Sequence, residues 1–265
     1  TSPMNFSGST KIYRSSCVVN LSLKIKCFKM KYFYFLTCLI FCPDIYGQDG
    51  SLDNTFGVNG KVTTDFGDNS WDEGRAIAIQ NDGKIVLVGS SSGWPGHEDF
   101  NLIRYNSNGI LDPTFGSGGK VTTIIENADG PYSVAIQNDG KIVIVGSCDI
   151  EGNKDFALVR YNTDGSLDST FDTDGIATAD FGNTFDYCFS VAIQSDGKIL
   201  AGGESWESST TPNFALARYN STGVLDSTFG SFGKVITNGG AAKSIALQTD
   251  GKILIAGVPK FTLVR

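Results

Sequence analysis

The chain has 265 residues, of which 21 are Lys or Arg and 28 are Asp or Glu, giving a formal net charge of −7 at pH 7. From residue 49 onward there are 15 basic and 27 acidic residues, and a surface this acidic repels phosphate backbones, so we expect no nucleic-acid partner. The 32 glycines indicate an all-β chain rich in turns, while one histidine and six cysteines, four of them before residue 49, exclude a disulfide framework and a Cys/His metal cluster.

The N-terminal region has the pattern of an export signal. Residues 1–29 match nothing later in the chain, and we expect them to be non-native sequence upstream of a natural start at Met30. Within 30–48, a lysine precedes an apolar run from Tyr32 to Cys42, and a small residue follows near the expected cut. The run is shorter than the roughly 20 apolar residues that a spanning helix needs. We therefore predict a secreted or cell-surface protein with no stable membrane span after cleavage. The alternatives are an uncleaved anchor and lipidation at Cys38 or Cys42.

Three short motifs then recur four times in the same order. They are Leu-Asp-x-Thr-Phe, Asp-Gly-Lys and Phe-x-Leu-x-Arg. Their first residues are Leu52, Leu111, Leu167 and Leu225 for the first motif, Asp82, Asp139, Asp196 and Asp250 for the second, and Phe100, Phe156, Phe214 and Phe261 for the third. The repeating unit is about 57 residues long, and it divides 49–265 into 49–106, 107–162, 163–220 and 221–265.

Each unit contains four predicted strands, as the second unit illustrates. Lys120–Ile125 is a β-branched run, Ser133–Gln137 alternates between apolar and polar residues, Lys141–Val145 returns after a turn, and Asp155–Tyr161 alternates again. The turn at 138–140 contains Asp-Gly, which is a strong hairpin signal because glycine accepts a positive φ. Outside the signal no stretch has a helical period, so we expect little helix.

Four antiparallel strands in a unit of this length are typical of a β-propeller blade, which buries its surfaces against neighbouring blades. Solenoid repeats are shorter, and a sandwich does not usually repeat one sequence four times. We predict an all-β, propeller-type array of four blades with four antiparallel strands each. Because the fourth unit stops inside a motif at Arg265, we expect a fragment whose ring is incomplete or open.

The recurring residues are interpreted as structural. The aspartate of Leu-Asp-x-Thr-Phe should bind turn backbone and pair with an arginine of Phe-x-Leu-x-Arg, since an arginine beside buried Phe and Leu needs a partner. The alternatives are a ligand ring of aspartates and an anion-binding ring of arginines. The residues concerned are Asp53, Asp112, Asp168 and Asp226, Arg104, Arg160, Arg218 and Arg265, and the turn glycines Gly83, Gly140, Gly197 and Gly251.

The loops between the third and fourth predicted strands differ among units while the strands match. Variable loops on a rigid scaffold are the usual place for binding. We therefore predict a ligand site at Trp94, His97, Trp206 and Glu207.

No metal or cofactor site is predicted. Asp172–Gly175 looks like part of a calcium loop, but Phe181 stands where the closing Glu belongs, so we interpret the segment as a turn. His97 has no second histidine for a cluster, and no nucleotide motif or nucleophile elbow is found. A bridge between Cys148 and Cys188 is left open.

The motif strings Leu-Asp-x-Thr-Phe-Gly-x-x-Gly-Lys-Val, Ala-Ile-Gln-x-Asp-Gly-Lys-Ile and Phe-x-Leu-x-Arg-Tyr-Asn resemble the delta-60 repeat family. The resemblance covers residues 49–265 and implies a β-propeller-like fold in a bacterial exported or surface protein, with no assigned activity and no catalytic residues to carry over. The signal ending in Tyr46-Gly47-Gln48 also looks like those of Bacteroidetes proteins.

Three functions compete. The leading hypothesis is a non-enzymatic scaffold or binding module for a surface glycan or protein, involved in surface interaction or adhesion. The alternative is a propeller enzyme, a lyase or glycoside hydrolase, with axial carboxylates drawn from Asp186, Glu204 and Glu207. In the third, the repeats only position other domains.

Overall fold

The computed structural model describes residues 50–67, 71–92, 98–125, 128–150, 152–182, 185–207, 211–260 and 262–265. The predicted upstream segment 1–29 and signal peptide 30–48 lie outside the described residues. Every regular element in the described part is a β-strand. We find no helix there that is long and apolar enough to cross a membrane.

The strands form a four-stranded, an eight-stranded and a three-stranded sheet. The eight-stranded sheet consists of two four-stranded halves, so we describe four blades, numbered 1 to 4. Blade 1 contains β1 (Trp71–Ile79), β2 (Ile85–Ser92), β3 (Phe100–Tyr105) and β4 (Lys120–Thr123). Blade 2 contains β5 (Ala128–Ile136), β6 (Ile142–Ile150), β7 (Asn153–Tyr161) and β8 (Ile176–Ala179). Blade 3 contains β9 (Phe185–Ile193), β10 (Ile199–Trp206), β11 (Asn213–Tyr219) and β12 (Lys234–Thr237). Blade 4 contains β13 (Ala241–Leu247), β14 (Ile253–Val258) and β15 (Thr262–Val264).

Successive strands within a blade pair antiparallel. The first strands, β1, β5, β9 and β13, lie side by side along the array and are its inner strands. One parallel contact, between Lys154 and Phe185, also connects blade 2 to blade 3. The predicted all-β propeller array is confirmed, and its sheets do not close into a ring.

Each blade is offset from the sequence unit by one strand. Lys120–Thr123 belongs to the second unit by sequence, but it pairs with β3 of the first, with Phe100 opposite Thr123 and Ile103 opposite Lys120. The strands β8 and β12 attach to β7 and β11 in the same way. The second, third and fourth units therefore each lend their first strand to the preceding blade. Blade 4 has three described strands where four were expected.

The apolar core lies in layers between neighbouring blades. Between blades 1 and 2, Val86 and Phe100 of one sheet pack against Ile144 and Val159 of the next, and all four are fully buried. A second layer lies between blades 2 and 3, and a third between blades 3 and 4. Burying such a side chain stabilises the fold by about 1.5–3 kcal/mol, so a blade depends on its neighbours for most of its stability. Cys148 and Cys188 are buried in these layers and are not joined by a disulfide.

The three sequence motifs meet at one point in each of blades 1 to 3. In blade 2, Arg160 Nε lies 2.7 Å from Asp168 Oδ2, and Lys141 Nζ lies 2.7 Å from the same oxygen. The guanidinium also sits 4.4 Å from the centre of the Phe171 ring, a cation–π contact. The lysine and the ring were not anticipated from the sequence. The equivalent ion pairs are Arg104–Asp112 and Arg218–Asp226, whereas Asp53 and Arg265 have no such partner among the described residues.

The Asp-Gly-Lys motif forms the hairpin turn between the first two strands of each blade. In blade 1, the Gln80 N–H donates to Lys84 O at 2.8 Å, and the Asp82 carboxylate accepts from the Lys84 N–H at 3.1 Å. Gly83 has a φ of +83°, which only glycine adopts without strain. Gly140, Gly197 and Gly251 have φ values of +84°, +84° and +81°.

Candidate functional site: the axial row

Each inner strand carries a β-bulge at the same place, and β5 has a second irregularity between Ala128 and Pro131. In β1 the register passes from Gly74 to Ala76, so the residue between them has no partner on β2. A bulge re-aims the side chain of its extra residue, and bulges are common beside functional sites. The bulge residues are Arg75 in β1, Tyr132 in β5, Phe189 in β9 and Lys243 in β13.

A glycine on the second strand makes room for each bulge. A Cβ on Gly89 would lie 1.9 Å from Glu73 O, and a Cβ on Gly203 would lie 1.7 Å from Tyr187 O. The bulged backbone can therefore approach only where the second strand has no side chain. The four glycines stand at the same place in every unit and are Gly89, Gly146, Gly203 and Gly257.

The four bulge residues form one continuous row across the array, which we call the axial row. The Arg75 guanidinium lies 4.9 Å from the centre of the Tyr132 ring. The Tyr132 and Phe189 rings meet edge to face, with centres 5.2 Å apart and planes at 76°. Lys243 Nζ lies 3.4 Å from the centre of the Phe189 ring. Two aromatic rings are thus held between two cations, an arrangement that cation–π and edge-to-face attraction stabilises.

Carboxylates compensate both cations of the axial row. Arg75 Nη2 lies 2.5 Å from Glu98 Oε2 and 3.3 Å from Glu73 Oε2, and Lys243 Nζ lies 3.4 Å from Glu204 Oε2. Burial by itself would lower the pKa of Arg75, but Glu98, Tyr132 and Glu73 outweigh it and raise that pKa above its ordinary value. The row therefore carries little net charge, although it has a charged group at each end.

Three aromatic side chains extend the site along β9. Phe185, Tyr187 and Phe189 lie on one side of the strand, with ring centres 6.4 and 6.3 Å apart and interplanar angles of 18° and 10°. Phe185 is 43% exposed, so the end of this aromatic ladder is open to solvent. Nearly parallel rings in a line offer a flat apolar surface to a ligand that is itself extended and flat.

The predicted loop site lies partly beside this ladder. Trp94 and His97 are outside the described residues. Trp206 ends β10 directly opposite Phe185 and is half-buried, with its Nε1 buried and without a hydrogen-bond partner in the described part of the chain. Glu207 follows in an exposed bend. The sequence thus pointed to the end of the ladder, but it missed the axial row.

The carboxylates considered for catalysis do not share one surface. Glu204 is opposite Tyr187 in the β9–β10 pairing, whereas Asp186 is opposite Ser205. Since neighbouring residues of a strand point to opposite sides, Asp186 and Glu204 lie on different sides of the sheet. Glu207 is exposed beyond the end of β10.

The recurring arginines lie elsewhere, near the Asp-Gly-Lys turns. Arg104 and Arg160 each line a cavity of about 420 Å³. Both guanidinium groups are already paired with buried aspartates, which weakens their attraction for a free anion. The segment that looked like a calcium loop is a turn, in which Asp174 Oδ1 accepts the Ile176 N–H at 2.9 Å.

Comparison with known proteins supports the propeller repeat. Residues 80–115, 137–171 and 194–229 match the DUF5122 β-propeller domain of unknown function. Each matched segment runs from an Asp-Gly-Lys turn to the next Leu-Asp-x-Thr-Phe. These segments are β-propeller repeats, and the name delta-60 stays a prediction. No curated protein matches the chain.

One similar solved structure is a catalytically inactive virginiamycin B lyase from Staphylococcus aureus with quinupristin. It is 11% identical to this chain, with a TM-score of 0.35. The match covers 74% of this chain and 56% of the lyase chain, so the chain spans little more than half the length of that protein.

Proposed function

We propose that this propeller is an exported, non-enzymatic binding module that holds a glycan chain on its axial row and aromatic ladder. The observation that carries the proposal is the equivalence of Arg75, Tyr132, Phe189 and Lys243, which occupy the same bulge in four units yet differ in type. A repeat that keeps its backbone and varies its side chains at one partly exposed place is suited to recognition. The signal-like pattern before residue 49 supports export.

The chemistry of the row favours a neutral glycan. The C–H groups on one side of a pyranose ring are apolar and pack against aromatic rings, as the ladder from Phe185 to Phe189 would allow. Hydroxyl groups need donors and acceptors close by, and the Arg75–Glu98 and Lys243–Glu204 pairs provide both. Because each cation is already matched by a carboxylate, a polyanion would gain little from binding here.

The test is binding of the full chain to an array of neutral and acidic polysaccharides, followed by calorimetry on the best ligand. We expect Phe189→Ala and Tyr187→Ala to weaken binding by at least about fivefold, because each removes a stacking surface worth about 1 kcal/mol or more. Phe232→Ala is the matched control, since Phe232 is 78% exposed on the connector before β12, away from the inner strands.

Three results would count against the proposal. Phe189→Ala could bind as well as the unaltered chain, which would remove the ladder from the site. The array could show no glycan binding at all. Cleavage products of the bound glycan, detected by mass spectrometry, would instead support the lyase or glycoside hydrolase alternative.

A further inference from the structure

Three carboxylates converge where the chain passes from blade 2 to blade 3. Asp155 lies near the start of β7, Asp180 directly follows β8, and Asp186 lies near the start of β9. One carboxylate oxygen from each lies within 4.8 Å of the others. Asp155 is 5% exposed and Asp186 is fully buried, whereas Asp180 reaches solvent. The cluster therefore has two interior groups and one group at the surface.

The hydrogen bonding of this cluster is incomplete. Asp186 Oδ2 accepts the Phe181 N–H at 2.7 Å, and the Ser205 side chain also hydrogen-bonds to this carboxylate, but Oδ1 is buried without a hydrogen-bond partner of its own among the described residues. Asn153 donates its amide to Asp155 Oδ1 at 3.3 Å, and its own side-chain oxygen is also buried without a partner in that part of the structure. A buried carboxylate oxygen with no donor is costly, so this arrangement calls for a cation or a proton.

The charges around the cluster also favour a bound cation or proton. Burial is the largest influence on both interior carboxylates, and it raises the pKa of Asp155 and of Asp186 to about 6. Hydrogen bonds from Ser205 and Phe181 lower the pKa of Asp186, whereas Asp180 raises both pKa values further and Lys234 lowers them. The Lys234 ammonium donates to the backbone oxygen of Asp180 at 2.6 Å, so its positive charge lies beside the cluster.

A second copy of the same turn shows what the turn contributes by itself. In the Asp65-Phe66-Gly67 segment, the Phe66 N–H donates to Asp72 Oδ2 at 2.8 Å, as the Phe181 N–H does to Asp186. The Gly67 N–H donates to Asp65 Oδ1 at 2.6 Å, as in the later copy. Among the described residues no third carboxylate joins this earlier copy. Among the described residues, the triple cluster occurs at the junction of blades 2 and 3, where Asp155 of β7 joins the turn.

We propose that Asp155, Asp180 and Asp186 bind one divalent cation of the calcium class, which joins blade 2 to blade 3. All the donors are oxygens, which hard cations prefer, and no cysteine or histidine is present to favour zinc. Calcium binds oxygens at about 2.3–2.6 Å, so two of its ligands can lie up to about 5 Å apart, in agreement with the spacing of the cluster. The cation would sit beside the Lys154–Phe185 contact and strengthen the connection between the two blades.

The experiment is a calorimetric titration of the EDTA-treated full chain with CaCl2 at constant ionic strength, with MgCl2 in parallel and thermal unfolding measured on the same samples. We expect one Ca²⁺ per chain, a dissociation constant between about 10⁻⁵ and 10⁻³ M, and a higher melting temperature in calcium. Asp180→Asn should weaken Ca²⁺ binding at least about tenfold, because it removes one charged ligand. Asp180 is exposed, so this variant should fold.

Asp65→Asn is the matched control, because Asp65 makes the same turn without belonging to the cluster, and its Ca²⁺ binding should equal that of the unaltered chain. The proposal is overturned if neither heat nor a thermal shift appears up to about 10 mM Ca²⁺. It is equally overturned if Asp180→Asn binds as tightly as the unaltered chain. Equal affinity for Mg²⁺ would overturn the preference for calcium.

Discussion

At the scale of single residues, the Arg160–Asp168 pair shows why the motifs recur. Both side chains are at least 95% buried, and the carboxylate receives Arg160 Nε and Lys141 Nζ, each at 2.7 Å. Thr170 donates to its other oxygen at 2.7 Å. The aspartate thereby joins two strands to the connector that follows them, so a change at any one motif leaves buried charges elsewhere without a partner.

Asp168→Asn is expected to destabilise the chain by about 3–5 kcal/mol, because it leaves the buried Arg160 and nearby Lys141 uncompensated. The measurement is the free energy of unfolding in urea. Asp164→Asn is the control, since Asp164 is an exposed turn residue that caps Ser166, and we expect a change of no more than about 0.5 kcal/mol. Equal stability of the two variants would contradict the structural role of the pair.

The same pair gives a pH dependence with a definite sign. Burial opposes ionisation of Asp168, but hydrogen bonds from Lys141 and Thr170 and the charge of Arg160 prevail, so its pKa lies below the ordinary value. A lowered pKa stabilises the fold at neutral pH, and this contribution decreases as the pH falls below about 4. The difference in stability between Asp168→Asn and the unaltered chain should therefore narrow between about pH 4 and pH 2.

A second residue-scale feature is the tyrosine that follows each recurring arginine. The hydroxyl groups of Tyr105 and Tyr161 lie 2.6 Å from the hydroxyl groups of Thr64 and Thr123. In the next unit, the position equivalent to Thr64 and Thr123 is occupied by Ala179. The Tyr219 hydroxyl is accordingly buried without a hydrogen-bond partner among the described residues.

Ala179→Thr should therefore stabilise the chain by about 1 kcal/mol, since it supplies the missing partner of Tyr219. The converse change, Thr123→Ala, should destabilise it by about 1–3 kcal/mol, because the buried Tyr161 hydroxyl loses its bond. The free energy of unfolding in urea measures the effect of each of these two changes. Destabilisation by Ala179→Thr would show that this position has no room for the added hydroxyl.

At the scale of strands, the bulge of each inner strand depends on the glycine opposite it. Gly89→Ala would place a Cβ 1.9 Å from Glu73 O, and we expect a loss of about 1–3 kcal/mol from this overpacking. Gly74→Ala in the same bulge meets only the flexible Leu87 side chain, at 3.3 Å, and should cost less. If both variants unfold at the same urea concentration, the glycine is not what permits the bulge.

The strand scale also shows where prediction from sequence succeeds and where it fails. The hairpins at Gly83 and Gly140 could be predicted, because an Asp-Gly turn depends on local backbone chemistry. The pairing of Lys120–Thr123 with the preceding blade could not be predicted. Which strands pair depends on contacts distant in sequence, and the repeats offer several similar partners. Arg75 and its counterparts differ in type from unit to unit, so the repeat pattern does not single out their position. Their only sequence signal was the invariant glycine seven residues after each Asp-Gly-Lys aspartate.

At the scale of the whole molecule, each unit depends on the next. A unit lends a strand to the preceding blade, and Arg160 Nη1 of blade 2 donates at 2.6 Å to Ser221 O, just after β11 of blade 3. Arg104 makes the equivalent bond to Thr163 O. Such nearest-neighbour coupling is the way repeat arrays gain stability, and it places the inner strands in register. The axial row is a consequence of that register.

The most direct test of this account is the nuclear Overhauser contact between the ring protons of Tyr132 and Phe189, in the full chain with labelled aromatic residues. These rings belong to bulges in different blades, and their centres are 5.2 Å apart in the structure. We predict a strong cross-peak that disappears in Phe189→Leu. A folded chain in which Tyr132 and Phe189 show no contact would contradict both the stacking of the blades and the axial row.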